Sequence, residues 1–418
     1  MKPATCNRWE DIAFGKVVSH SAFGPRFSGD AYAEDGNVAT LRTTDLDDSG
    51  RISYDSMPLA RLNEDQFANH LLSPGDLVIT RSGTCGIAAV FEGFTLPVLP
   101  GAFLIRFRLN SLAEPRFFRY YFNSPAGRMN ILSVARGAVQ QNLNITNVQT
   151  LRVPLPPLPE QHSIVNLLSA YDDLIENNRR RMVLLEKAAR LLYEEWFVRL
   201  RFPGHERTRI IDGVPSRWSW SPLESICLDR EGIQTGPFGS QLHQSDYSDD
   251  GVPVVMPKNL ISFRIADEEI ARIPESLAQK LCRHRMIAGD TVCGRRGDIG
   301  RRAFISARQV GWICGTGCLR IRPDPGSINP RFLFDALGSP ETAGTIANRA
   351  KGATMLNLNS SVLKSVPVLV APQDLQDLYA DQVESMALMV ELLSEQNQKL
   401  RAARDLLLPR LMSGEIAV

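Results

Sequence analysis

Two stretches of this chain place apolar residues at alternating steps of four and three. Two others break short apolar runs with glycine and proline. Over residues 159–201, Ile164, Leu168, Tyr171, Ile175, Asn178, Met182, Leu185, Ala189, Leu192 and Trp196 fall on one helical face. Over 373–412, Leu375, Tyr379, Gln382, Met386, Met389, Leu393, Gln396, Leu400, Ala403 and Leu407 do the same. Heptads sustained in this way predict a coiled coil, with each helix ~60 Å long at 1.5 Å per residue. Asn178, Gln382 and Gln396 interrupt the apolar seam, and polar residues in a seam fix register at some cost in stability. Proline marks both entrances, Pro154–Pro159 and Pro367–Pro372, while Phe202-Pro203-Gly204 and Ser413-Gly414 mark the exits.

The remaining segments read as strands separated by tight loops. Leu77-Val78-Ile79-Thr80, Ile87–Phe91 and Ala102–Phe107 are β-like runs bounded by Gly and Pro. They also reveal a duplication. Gly75, Asp76, Arg81, Gly83 and Gly86 recur 214 residues later as Gly289, Asp290, Arg295, Gly297 and Gly300. At an offset of 215, Pro115-Arg116-Phe117 recurs as Pro330-Arg331-Phe332, and Asn142-Leu143-Asn144 as Asn357-Leu358-Asn359. Solenoid repeats have periods of ~20–50 residues, so this one is a duplicated domain. The predicted fold is α+β: two pseudo-symmetric mixed α/β domains, 1–157 and 204–371, separated by two long antiparallel coiled-coil helices, 158–203 and 372–418, the second with a C-terminal tail. The order domain–helix–domain–helix predicts globular domains at opposite ends of the helical pair. A pseudo-dyad with diverged halves suits a ligand made of two similar but unequal halves, and double-stranded DNA leads the candidates.

Charge refines this picture. The net formal charge is only +1. Residues 204–371 hold 21 basic against 17 acidic residues, and 372–418 hold 4 against 8. The positive excess lies in the second globular segment, which points weakly to a partner that adds positive surface. Phosphate affinity depends on local contacts rather than whole-chain charge. No apolar run approaches the ~20 residues of a membrane span, and the N-terminus lacks a signal-peptide h-region, so a cytoplasmic location is expected. Seven cysteines form no CxxC pair, and Cys314-x3-Cys318 lacks a second ligand pair for zinc. Buried free thiols are expected.

Candidate chemistry sits in the repeated loops. Arg81 and Arg295 open the loop of each GD-x4-R-x-G-x2-G element. There a guanidinium either grips a phosphate or a guanine edge, or pairs with Asp76 or Asp290 and pins the hairpin. Arg283, His284, Arg285, Arg296, Arg301 and Arg302 surround Arg295 in sequence and strengthen the first alternative, a solvated face being the other. Gln140 and Gln141 could read adenine, whereas Asn144 and Asn359 suit helix caps. Arg42, Thr43 and Thr44 follow one buried strand, and Lys258 and Asn259 the matching one. The candidate DNA contacts are therefore Arg42, Thr43, Arg81, Gln140, Gln141, Lys258, Asn259, Arg295, Arg296 and Lys351. No GxxxxGK[ST] loop, HExxH spacing or recurring carboxylate cluster appears, so no catalytic set is assigned and no metal is expected.

Val153-Pro-Leu-Pro-Pro-Leu-Pro-Glu-Gln161, Glu194-Glu-Trp-Phe-Val198 and Leu406-Leu-Leu-Pro-Arg-Leu-Met-Ser-Gly-Glu-Ile416 open and close the helices, and Trp9 and Trp218 stand near the two domain starts. In these features the chain resembles the specificity subunits of type I restriction–modification systems. The resemblance implies a non-catalytic chain whose two target-recognition domains each read half of a bipartite DNA site, with the helices setting the spacing. It implies two methyltransferase subunits that use S-adenosylmethionine to methylate adenine, and two translocase–nuclease restriction subunits that use ATP and Mg. None of these cofactors would bind this chain itself. A duplicated coiled-coil adaptor that binds only proteins is the alternative.

Overall fold

Both heptad stretches are helices. Helix α1 runs Leu158–Tyr193 and α2 runs Gln373–Met412. Pro159 lies in the first turn of α1, where a missing N–H breaks no intrahelical bond. Beyond Tyr193 the helix widens into a π turn, Glu194–Val198, and the chain leaves it through a left-handed Leu200 (φ 58°). The computed structural model describes residues 9–135, 142–229, 231–239, 241–261, 263–267, 269–295, 300–350 and 358–418. They form two compact units, residues 1–179 with 394–418 and residues 180–393. Each unit holds one mixed α/β domain and a half of each long helix.

In the first unit, Val18–Phe23 (β1), Leu77–Thr80 (β2), Ala88–Val90 (β3) and Leu104–Leu109 (β4) form an antiparallel sheet in the order β1-β4-β2-β3. Strand β2 is buried at all four positions. That is why it reads as a continuous apolar run rather than an alternation. Leu77 and Ile79 pack with Phe14, Phe107, Phe117 and Phe118, and Val78 packs on the other side with Leu41, Val98 and Leu104. A second sheet joins Val38–Leu41 antiparallel to Leu59–Ala60 and parallel to Val98–Pro100. A ribbon of Glu10–Ala13 against Arg152–Leu155 leads into α1.

The second unit repeats this plan. Ile233–Thr235 (β5), Thr291–Gly294 (β6), Arg302–Phe304 (β7) and Cys318–Ile321 (β8) form an antiparallel sheet in the order β5-β8-β6-β7. Val252–Val255 pairs antiparallel with Arg272–Ile273 and parallel with Ile313–Cys314, and Ser219–Pro222 pairs with Pro367–Val370 before α2. Burial pushes the thiols of Cys227, Cys293 and Cys314 up to about 12, which keeps them protonated and unreactive. Among the described residues, no helix is long and apolar enough to cross a membrane.

The helix seam is antiparallel within each unit. In the first, Asn178 Nδ2 donates to Asn397 Oδ1 at 2.9 Å, Asn397 Nδ2 donates to the Ile175 carbonyl at 3.2 Å, and Arg404 meets Asp172 at 2.7 Å. In the second, Met182 and Leu185 pack on Val390 and Leu393, while Ala189 and Tyr193 pack with Tyr379 and Val383. The α2 seam differs from the sequence expectation by one residue at three places. Val383, Val390 and Asn397 are buried, while Gln382, Met389 and Gln396 are exposed. In α1, Tyr193 and Phe197 are buried rather than Leu192 and Trp196, which are only half-buried. There the π turn and the aromatic cluster with Trp218 and Phe332 rotate the inward face.

Candidate nucleic-acid interface

The repeated GD pair builds a tight turn and a clamp. Gly75 and Gly289 take the left-handed conformation at φ 91° and 90°, which glycine adopts without steric cost. Asp76, 1 % exposed, accepts the Ser73 N–H at 2.8 Å, and Asp290, 0 % exposed, accepts the Ile287 N–H at 2.9 Å. The same carboxylates each receive two guanidinium bonds, Asp76 from Arg108 at 2.8 and 2.9 Å and Asp290 from Arg322 at 2.8 and 2.8 Å. Those bonds raise both guanidinium pKa values further, against the opposing effect of burial. Arg106 and Arg320, two residues earlier, are buried and held mainly by backbone carbonyls: Leu71 for the first, and Arg283, Arg285 and Glu231 for the second.

The carboxylates thus serve Arg108 and Arg322 and not the loop arginines. Arg81 Nε donates to Asn142 Oδ1 at 3.1 Å, and its guanidinium lies 4.4 Å from the Phe23 ring centroid. Arg295 Nε donates to the Leu358 carbonyl at 3.2 Å, and its guanidinium lies 5.8 Å from the Phe238 ring. Each is half-buried and reaches the surface at the same point of its domain. Asp76 and Asp290 were available to sequence reasoning as partners; the arginines that take them sit 32 positions away, and their own 214-residue echo was the signal to follow.

Backbone bonds gather the loops into one rim per unit. In the first, Gly101 N donates to the Leu41 carbonyl, Arg81 N to that of Phe103, and Leu143 N to that of Arg81. In the second, Gly315 N donates to Val255, Arg295 N to Gly317, and Leu358 N to Arg295. The rim of the first unit therefore brings Arg81 beside the turn that starts at Arg42. That of the second brings Arg295 beside the turn at Lys258.

Within those turns the candidates differ in availability. Arg42 donates from Nε and Nη2 to Asp45 at 3.1 and 2.8 Å and from Nη2 to the Ser56 carbonyl at 2.7 Å, yet 45 % of its side chain is exposed. Thr43 is half-buried and Lys258 is exposed. Asn259 is 4 % exposed; its Oδ1 accepts the Met256 N–H at 2.9 Å and its Nδ2 donates to the Ala266 carbonyl at 3.2 Å. It caps its turn as Asp45 caps the first, where the Arg42 N–H donates to Oδ2 at 2.7 Å. Gln140, Gln141, Arg296 and Lys351 lie outside the described residues. Asn144 and Asn359 cap the short helices that follow them, accepting from Thr146 and Val362 N–H.

Among the described basic residues around Arg295, Arg283 and Arg301 are exposed while the others are engaged within the fold. Arg302 stacks on Phe263 and Phe334 at 4.7 and 5.0 Å, and its Nε donates to the Phe334 carbonyl. Arg285 pairs with Glu275 at 2.5 Å. His284 is buried, and desolvation, with Arg283 and Arg320 nearby, pushes its pKa down to about 4.

Residues 8–187 match the family described as type I restriction modification DNA specificity domain. That match lies within the first half of the chain and marks a likeness to the specificity subunits of type I restriction–modification systems. It is 22 % identical over 313 residues to the type I restriction enzyme MjaIX specificity subunit of Methanocaldococcus jannaschii, an alignment covering 72 % of this chain and 69 % of that one. It is 21 % identical over 359 residues to the type I restriction enzyme HindI specificity subunit of Haemophilus influenzae, covering 73 % and 78 %. The fold is that of the type I restriction–modification S subunit from M. genitalium, with a TM-score of 0.59, 15 % identity and 98 % of each chain covered. Within this fold the duplicated rim is the feature of interest: one backbone scaffold, used twice, with different side chains at its edge.

Proposed function

We propose that this chain reads a bipartite double-stranded DNA target, one half-site per unit. Arg42, Thr43 and Arg81 serve the first half-site, and Lys258 and Arg295 the second. The rim carries this reading. In both units the same three backbone bonds fix the loops, while the exposed side chains differ, as unequal half-sites require. Among the described residues each loop arginine is held by one side-chain hydrogen bond and a ring, which favours guanidinium N–H groups turned toward phosphate or guanine. In this reading the chain performs no catalytic step. The paired helices set the distance between half-sites and dock methyltransferase subunits, to which restriction subunits are added. Leu174 and Leu406, and Leu184, Leu191 and Leu392, are between 45 % and 73 % exposed. Exposed leucines along a helix pair support docking of further helices, since such apolar surface gains by being covered. Methylome mapping of the host, followed by footprinting of the reconstituted complex on the mapped motif, tests the proposal. Protection of two half-sites separated by an unread spacer is expected, and protection without sequence preference overturns it.

A further inference from the structure

Each rim presents a phenylalanine to solvent at the segment that holds its loop arginine, Phe103 in the turn just before β4 and Phe238 in the loop after β5. Phe103 is 56 % exposed and Phe238 is 55 % exposed. Single exposed apolar residues are common on protein surfaces, so exposure alone decides nothing. Their placement is what sets them apart. In the first unit Gly24 packs against the carbonyl of Gly101 so closely that a Cβ would overlap it, and in the second Gly236 packs in the same way against Gly315. These close crossings are equivalent: Gly24 N donates to the Leu104 carbonyl at 3.0 Å, and Gly236 N to that of Cys318 at 3.0 Å. Two residues past the crossing, the first unit carries Arg26 on one segment and Phe103 on the other. The second unit carries Phe238 and Gly317 at those places. The exposed ring precedes a strand in the first unit and follows one in the second; Phe238 lies under the Arg295 guanidinium, whereas Phe103 meets Arg81 through its backbone carbonyl.

The backbone under each ring is fixed. Arg81 N donates to the Phe103 carbonyl at 2.9 Å, and Leu104 N to that of Gly101 at 2.9 Å. Around Phe238, its own N–H donates to Gln241 Oε1 at 3.3 Å, Gln241 N donates to the Phe238 carbonyl at 2.8 Å, and Thr316 Oγ1 donates to the Pro237 carbonyl at 3.0 Å. An apolar ring held out on a pinned turn, next to a cation, has the chemistry of a base contact. Its face can lie against an exposed base or thymine methyl, or wedge at a base step, while the arginine holds the adjoining backbone.

We infer that Phe103 and Phe238 are base-contacting, specificity-determining residues of the two units. Their different places in the chain, before a strand in one unit and after one in the other, offset the apolar contact relative to the arginine, so the two half-sites are read in different registers. This rests on the proposed DNA reading. The test uses the full chain reconstituted with its methyltransferase subunits. The probes are a duplex bearing the mapped methylation motif, duplexes changed at single positions in either half-site, and a scrambled duplex. Phe238→Ala is expected to weaken binding to the motif on the order of tenfold, to leave scrambled-duplex binding unchanged, and to relax discrimination in one half-site only. Phe103→Ala should do the same in the other half-site, and Phe→Tyr at either place should retain preference. Variants that match the wild type on every duplex overturn the inference, as do variants that fail to assemble with the methyltransferase, which would put the rings on a protein interface. Failure of the underlying reading looks different: the wild-type complex itself would not distinguish the motif from the scrambled duplex.

Discussion

Gln161 and Gln376, 215 residues apart, close the same joint in the two units. Gln161 Oε1 accepts the Glu114 N–H at 2.8 Å, and Gln376 Oε1 accepts the Asn329 N–H at 2.8 Å. Their Nε2 atoms donate to the Pro156 and Ala371 carbonyls, just before α1 and α2. Each glutamine thus staples the first turn of a long helix to the domain that precedes it. Both side chains are 1 % exposed. Gln161→Leu or Gln376→Leu leaves buried backbone groups without partners, and each is expected to cost about 1–3 kcal/mol by denaturant unfolding. A loss below a few tenths would show that the joint holds without them.

The two kinds of arginine in the repeat should separate cleanly. Arg322→Ala strands the buried Asp290 carboxylate and is expected to destabilise the second unit by about 3–5 kcal/mol. Arg295→Ala removes a half-buried guanidinium whose contacts among the described residues are one carbonyl and one ring face. It should leave the melting curve within about 1 kcal/mol of the parent while weakening DNA binding and flattening its salt dependence by about one unit of slope. Thermal melts and salt-titrated binding together check the contrast; an Arg295→Ala chain that unfolds assigns that arginine to the frame.

The seam offers a double-mutant test. Asn178 Nδ2 also donates to Gln396 Oε1 at 3.1 Å, so the buried amides of Asn178 and Asn397 form a small network. Asn178→Leu alone should destabilise by about 1–3 kcal/mol, because the buried Asn397 Oδ1 loses its donor. Asn178→Leu with Asn397→Leu should recover most of that loss. A double mutant as unstable as the sum of the singles would show that the pair is not coupled.

Much of this was legible in the sequence. The heptads located both helices, and the prolines placed their starts near Leu158 and Gln373. The duplication predicted two domains of one plan. What escaped were choices between neighbours and between distant partners. At 382/383, 389/390 and 396/397 both residues are plausible seam members, and only packing in three dimensions selects Val383, Val390 and Asn397. Arg295 is bonded to a carbonyl 63 residues away, and no local pattern announces that. Asn259 is polar at a strand end, which fits a reader and a cap equally; its burial is what makes it a cap.

Acid should act on the second unit through His284. Burial pushes its folded pKa down to about 4, against 6.5 for a solvated histidine, so the folded protein resists a proton that the unfolded chain accepts. Stability is therefore full above about pH 6.5, falls as pH drops toward 4, and levels below it. The total loss from this group should be on the order of 1–3 kcal/mol. His284→Gln should remove that part of the slope in unfolding experiments run from pH 7.5 to 4; an unchanged slope would assign it to other groups.

The helices can be tested as a spacer. Seven residues added to both α1 and α2, in register with the seam, lengthen each by about 10.5 Å. The preferred gap between half-sites should then grow by about three base pairs at 3.4 Å each. Methylation mapping of the lengthened complex reads this directly, and an unchanged gap would remove the helices from the ruler role.

The division of the chain has a consequence for its biosynthesis. Residues 180–393 are contiguous, so the second unit is complete once a ribosome has passed them. The first unit has Leu411 and Met412 buried in the same core as Trp9 and Phe14. Although its domain emerges first, it stays open along one side until the last helical turn is made. The order of closure is then the reverse of the order of synthesis, and in that interval the half-built first core is the surface most in need of a chaperone or an early partner.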